Sequence, residues 1–258
     1  MNIAALVKEV PDTFGTRSLH PDTGLTQRAD GEPVIDEICQ RAVEAALTLA
    51  EANPDSTVHV ATMGPESATS SIRKALAMGA DEAIHVVDED LAGADLTLTA
   101  EVLAAALRDG GYDLVLAGNA ATDGIGGMIP AMVAEHLGWA HLTELTELTV
   151  SDGAVSGSRP AAGGTLQVSA PLPAVVSVTE SFPDGRFPNF KGIMAAKKKP
   201  LTVRSLHDLE IDAQDFSHPR AILTAVAQRP PKQAGAKVTD DGTGAQQIFD
   251  YLVSNKLI

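Results

Sequence analysis

Basic residues, aromatics and cysteine are all scarce in this sequence, and each shortage removes a class of function. Nineteen lysines and arginines stand against 34 aspartates and glutamates, a formal charge of −15. Such a chain repels the phosphates of DNA or RNA at every approach, so nucleic acid is excluded as a partner. Aromatics make up only 3% of the residues, so the core must be built from alanine, valine and leucine. Small aliphatics of this kind suit helices packed on a sheet and argue against an all-β sandwich. Cys39 is the single cysteine, which rules out an intrachain disulfide and any cysteine cluster for zinc or iron–sulfur. No apolar run approaches the roughly 20 residues that span a bilayer. A strand-like run begins at Asn2 with no leader before it, and the expected compartment is the reducing cytoplasm.

What the sequence does have is alternation. At 258 residues and 44% hydrophobic content it can bury a full core. An unbroken apolar run over 2–8 predicts a buried strand ending in a turn at Pro11-Asp12, and the aperiodic segment from Phe14 to Pro33 predicts an excursion from the sheet. From Ile35 apolar residues recur at helical spacing to about Ala52, with Asp36 and Glu37 placed to complement the helix N-terminus. Strands follow at 57–63, 82–87 and 113–117, with helices at 65–79 and 95–108 between them and a further helix at 128–137. This order predicts an α/β fold, a doubly wound and mostly parallel sheet with helices on both faces. After Trp139 short alternating segments at 145–150, 154–158, 166–169 and 174–178 predict antiparallel edge strands. The expected division is an α/β domain over 1–200 and a C-terminal arm over 201–258, with one amphipathic helix near 245–254.

The chemistry concentrates between Leu114 and Leu137. A buried strand leads into Gly118-Asn119-Ala120-Ala121-Thr122-Asp123-Gly124-Ile125-Gly126-Gly127, and a helix begins at Met128 with Pro130 in its first turn. Glycine lets backbone N–H groups close on a phosphate, and the helix N-terminus adds a partial positive charge. The segment therefore predicts a cradle for the phosphate of an adenine nucleotide, made without lysine or arginine. It is neither the G-x-G-x-x-G fingerprint nor a Walker A loop. Leu6, Lys8 and Met63 are expected to line the same crevice, beyond the strand ends where the crossover direction reverses. Cys39, on the inner face of a helix, reads as a small buried hydrophobe. No arrangement of nucleophile, base and acid, and no paired carboxylates, suggests bond-breaking catalysis.

Three motifs make the reading specific. Val7-Lys8-Glu9-Val10-Pro11-Asp12, Ile72 to Asp81 and the Gly118–Gly127 loop resemble the β subunit of electron-transfer flavoproteins, and so does Lys191-Gly192-Ile193-Met194-Ala195-Ala196-Lys197-Lys198-Lys199-Pro200. The resemblance covers nearly the whole chain. It implies an electron carrier that pairs with an α subunit, with one FAD at the interface and an AMP buried in the β chain. It implies acyl-CoA-type dehydrogenases as donors and a quinone reductase as acceptor. By resemblance the AMP contacts fall on Leu6, on Asp36, Glu37, Ile38 and Cys39, on Met63, and on Gly118, Asn119, Thr122, Asp123, Gly124, Ile125, Gly126, Gly127, Met128 and Ile129. The turn at Gly126-Gly127-Met128 lacks the polar side chains of many relatives, so backbone N–H groups are expected to hold the phosphate. Ile38 stands where relatives place an aromatic near the flavin, and Phe14 is available beside it.

Between Arg186 and Arg204 lie six basic residues and no acidic one. Phe187, Phe190, Ile193 and Met194 sit inside this strip, and the resemblance makes 186–199 a partner-recognition loop with Phe190 its hydrophobic anchor. Two alternatives stand beside this reading. Some relatives bind a second FAD in place of AMP and bifurcate electrons, and universal stress proteins put a glycine-rich turn on a similar sheet to bind ATP.

Overall fold

The computed structural model describes residues 1–15, 17–28, 33–232 and 234–258. Of the expected excursion over 14–33, residues 16 and 29–32 lie outside the described residues. The first half of the chain follows the predicted alternation. Strand β1 (Asn2–Leu6) is followed by a short antiparallel pair, β2 (Glu9–Pro11) and β3 (Pro33–Ile35), then by α1 (Glu37–Ala52). Next come β4 (Thr57–Met63), α2 (Thr69–Met78), β5 (Glu82–Val86), α3 (Leu96–Leu107), β6 (Leu114–Gly118) and α4 (Ile129–Leu137). The apolar run over 2–8 is thus not one strand. The chain leaves the sheet at Val7, which still donates to Ala61 O at 3.0 Å, and turns toward the two-stranded ribbon. Pro11 is tolerated in that ribbon because its strand is an edge.

Local chemistry sets the helix limits. Asp36 caps α1 and Asp95 caps α3 by accepting backbone N–H groups. Gly79 ends α2 at φ 148°, where an added Cβ would meet Leu47 at 3.0 Å.

The second half contains the expected antiparallel strands at 147–151, 154–161 and 164–171, but 174–178 is not one of them. Strands β7 (Ala140–Leu145), β8 (Glu147–Ser151), β9 (Ala154–Ala161), β10 (Gly164–Pro171) and β11 (Ala174–Val178) precede α5 (Phe190–Ala196), β12 (Leu201–Arg204) and α6 (Gly244–Ser254). Of these strands, β8, β9 and β10 form an antiparallel sheet. The central sheet has seven strands in the order β12-β5-β4-β1-β6-β11-β7, all paired in parallel. Residues 174–178 are therefore a central parallel strand. All five are buried, as an unalternating Ala-Val-Val-Ser-Val run requires of a strand covered on both faces. The connection from β7 to β11 is the β8–β10 meander, which serves as the long crossover that a parallel pair needs.

The two faces of the sheet separate cleanly. Ile3 and Ala5 of β1 and Leu114 and Leu116 of β6 pack with α1 and α2, whereas Ala4, Leu6, Val115 and Ala117 pack with α3 and α4. Alternate side chains of one strand thus feed two cores. The chain divides into two units, Met1–Thr224 and Ala225–Ile258, and β12 at the sheet edge carries the first unit past residue 200. In the second unit α6 leaves Ile248, Phe249, Tyr251 and Val253 exposed. Among the described residues no helix is long and apolar enough to cross a membrane.

Candidate functional site

The crossover direction reverses between β1 and β6. From β1 the chain winds outward through β4 to β5, then returns across the sheet to β6 on the other side of β1. The ends of β1 and β6 diverge there and open the crevice that such folds use for ligands. The loop after β6 lies at this point.

One carboxylate organises both walls. Asp36 is fully buried; its Oδ1 accepts Ile38 N at 3.0 Å and Cys39 N at 3.3 Å, which caps α1. Its Oδ2 accepts Thr122 N at 2.7 Å and Thr122 Oγ1 at 2.8 Å, which ties the loop to the same helix. Gly118 permits this approach, since a Cβ there would stand 3.0 Å from Ile38 Cγ2 and 3.2 Å from Cys39 N. Cys39 is buried, and its thiol is pushed up to about 12, first by desolvation and then by the charge of Asp36. It is a packing residue rather than a nucleophile.

Asp123 is the second peg. Its side chain is 3% exposed and accepts Lys8 Nζ at 2.7 Å and Arg28 Nη2 at 3.0 Å. Burial alone would raise this carboxyl, but the hydrogen bonds and charges of Lys8 and Arg28 outweigh it and hold it below the usual carboxylate range. Arg17 donates to the Thr122 carbonyl. Lysine and arginine therefore do stand at the loop, and the expectation of an anion site made without them is corrected. Lys8 stands in the crevice where the sequence places it, whereas Arg17 and Arg28 fall in an aperiodic stretch with no register to the loop.

Beyond Asp123 the turn is open. Gly124, Ile125, Gly126, Gly127 and Met128 are all exposed, and Ile129 enters α4 with Pro130 behind it. Gly127 (φ 66°) and Ile125 (φ 51°) both adopt left-handed backbone. For a β-branched residue such as Ile125 this costs about 1–2 kcal/mol, and strain of that kind collects at functional turns. Asn119 N donates to Val178 O at 2.8 Å, while its side-chain Oδ1 is buried with no partner among the described residues. Leu6 lies in the core beneath the crevice, Met63 is half-buried at the end of β4, and Glu37 is exposed. Ile38 is half-buried and Phe14 is 98% exposed.

The basic strip is not a loop throughout, because α5 forms inside it. Asn189 caps that helix by accepting Gly192 N at 2.8 Å. Gly192 lets α5 lie on α2, since a Cβ there would stand 2.4 Å from Ala77 O. Arg73 reinforces the contact by donating to Ala196 O at 2.7 Å and Lys199 O at 3.0 Å. Two of the strip's six cations are committed inward: Lys199 donates to the carbonyls of Leu76 and Gly79, and Arg186 pairs with Glu44 and Glu51. Phe187, Phe190, Ile193 and Met194 remain exposed.

Fold and site together define an α/β protein of the doubly wound class with a pinned glycine turn at its switch point. Residues 24–209 match the electron transfer flavoprotein domain. The electron transfer flavoprotein subunit beta of Mycobacterium tuberculosis strain H37Rv is 44% identical over 264 residues, covering 100% of this chain and 99% of that one. That of Bacillus subtilis strain 168 is 32% identical, covering 98% and 96%. Subunit CarD of the caffeyl-CoA reductase–Etf complex of Acetobacterium woodii is 30% identical, covering 98% and 97%. The chain belongs to the electron transfer flavoprotein family, on its β-subunit side.

Proposed function

We propose that this chain is the β half of a heterodimeric electron-transfer flavoprotein that works in the cytoplasm. It carries electrons from acyl-CoA-type dehydrogenases to a quinone reductase, with FAD at the interface with the α subunit and a structural AMP in the crevice. The observation that carries the reading is the double peg of Asp36 and Asp123. Two buried carboxylates hold a strained glycine turn in place, and a connection of no function would need neither the pegs nor the strain.

The residues present fit an AMP. Gly124, Gly126, Gly127 and Met128 are exposed and, with the start of α4, are offered to a phosphate, while Ile125 N is taken by Ala121 O at 2.9 Å. The partnerless Asn119 Oδ1 offers a buried polar contact. Asp36, Glu37, Ile38 and Cys39 at the start of α1, with Leu6 and Met63 at the strand ends, bound the crevice on its other side. FAD supplies one- and two-electron transfer when bound. This chain contributes Phe14 and Ile38 toward it, apolar groups that exclude water. Phe190, Ile193 and Met194 dock the dehydrogenase, and the arm expected over 201–258, of which Ala225–Ile258 form a separate unit, docks on the α subunit through the apolar side of α6.

A second reading, FAD in place of AMP in the β site, draws on the relative named as a subunit of a reductase–Etf complex. The full-length family match leaves the universal-stress reading without support. One experiment separates them: co-expression with the α subunit, purification, denaturation and identification of the released nucleotides. One FAD and one AMP are expected; two FAD would favour the second reading, and ATP without complex formation would sink both. The same preparation lacking Asp240–Ile258 is expected to fall apart, and intact assembly would overturn the role of the arm.

A further inference from the structure

Three cations stand at the loop. Lys8, Arg17 and Arg28 reach the loop, whereas the carboxylates that hold it are Asp36 and Asp123. The three cations gather there in a chain whose formal charge is −15.

Lys8 is the cation set beside the open turn. Its ammonium has three donors, and Asp123 Oδ1 takes one of them at 2.7 Å. The side chain is 41% exposed, so part of it opens outward. A Cβ built on Gly124 would lie 3.9 Å from Lys8 Nζ, which sets the ammonium against the glycine turn itself. The Asp123 side chain is buried and also bound by Arg28, so it serves as a fixed peg, and among the described residues it is the side chain that takes one of the ammonium's three donors. Much of the rotamer entropy that a free lysine would lose on binding an anion is thereby lost in advance.

We infer that Lys8, held by Asp123 and seconded by Arg28, is the cationic part of a site for an adenosine 5′-phosphate, with the glycine backbone as its neutral part. This rests on the nucleotide reading above and adds residues to it. Free AMP and the ADP half of FAD share the chemistry, and the test distinguishes them.

The complex with the α subunit, carrying its interfacial FAD and freed of nucleotide in the β site, is titrated calorimetrically with AMP, FAD and adenosine. For the phosphate ligand that binds wild type, Lys8→Gln is expected to weaken affinity about ten- to a hundredfold, as the loss of a charge-assisted bond does. Adenosine affinity stays within about twofold, because the phosphate contact is absent there, and Lys8→Arg keeps most of the phosphate affinity. Arg28→Gln gives a smaller loss of the same kind. Equal losses for adenosine and the phosphate ligand would reduce Lys8 to a support of the fold, and no loss for either would also overturn the inference. Wild type that binds neither AMP nor FAD at this site would remove the nucleotide reading itself, and the inference with it.

Discussion

The switch-point turn and the α5 strip are both short, glycine-containing and exposed, yet they are held in opposite ways. The turn is pinned from beneath by buried carboxylates, and its open side is backbone. The strip is seated on α2 through Gly192, Arg73 and Lys199, and its open side is phenylalanine, isoleucine and methionine. A pinned polar turn suits a ligand that stays, because its hydrogen-bond donors keep their positions without further ordering. A small apolar anchor inside a charged rim suits a partner that must dock and leave quickly. The contrast predicts that damage to the turn shows first as lost stability, whereas damage to the strip shows only as lost exchange of electrons.

Asp36 is where the contrast should break hardest. Asp36→Ala removes the α1 cap and both bonds to Thr122, leaving a backbone N–H of the loop unpaired. The expected cost is about 3 kcal/mol, read from urea unfolding of the complex at fixed protein concentration. Asp36→Asn keeps an acceptor for the cap but sets its amide NH2 against Thr122 N, and should cost about 2 kcal/mol. If Asp36→Ala proved neutral, the turn would be no better pinned than the strip.

Asp123 sharpens the comparison through pH. Its folded carboxyl titrates below its unfolded value, so its stabilising effect is fully present above the unfolded pKa near 3.9 and is lost as pH falls through the folded value. Lys8 and Arg28 are 41% and 36% exposed, so solvent screens the pairs, and Asp123→Asn should cost only about 1–2 kcal/mol at pH 7. The gap between variant and wild type should close in acid, as pH falls through the folded value. A gap that persists in acid would mean that Asp123 acts by shape and not by charge.

The turn was legible because glycine spacing, strand burial and helix polarity are all local properties. The strip was legible because phenylalanines stand out in an acidic chain poor in aromatics. What escaped was long-range. The partners of Asp123 are 115 and 95 residues away in sequence, and no periodicity relates them. The same limit explains the misread of 174–178. Its insertion between β6 and β7 depends on the preceding meander folding as a crossover, although the unalternating burial that marks it was already visible in Ala174 to Val178. The helix in the strip was masked by Gly192, which lowers helix propensity and is kept because α5 must approach Ala77 O closely.

The smallest expected effect on stability comes at Phe190. Its ring is 80% exposed and covers no part of either core, so Phe190→Ala should change unfolding free energy by less than about 0.5 kcal/mol. FAD content of the complex should be unchanged, since the residue lies in neither wall of the crevice. Electron transfer from an acyl-CoA dehydrogenase should nonetheless slow by about fivefold or more, the loss that follows when an aromatic anchor worth over 1 kcal/mol is truncated. Rates are to be compared at dehydrogenase concentrations below saturation, where docking limits exchange. If the variant transfers electrons at the wild-type rate, the exposed apolar group on α5 is not a dehydrogenase anchor, and the contrast with the pinned turn loses its functional meaning. If instead the variant unfolds more easily, the ring is structural, and the strip belongs with the turn as a part the fold needs.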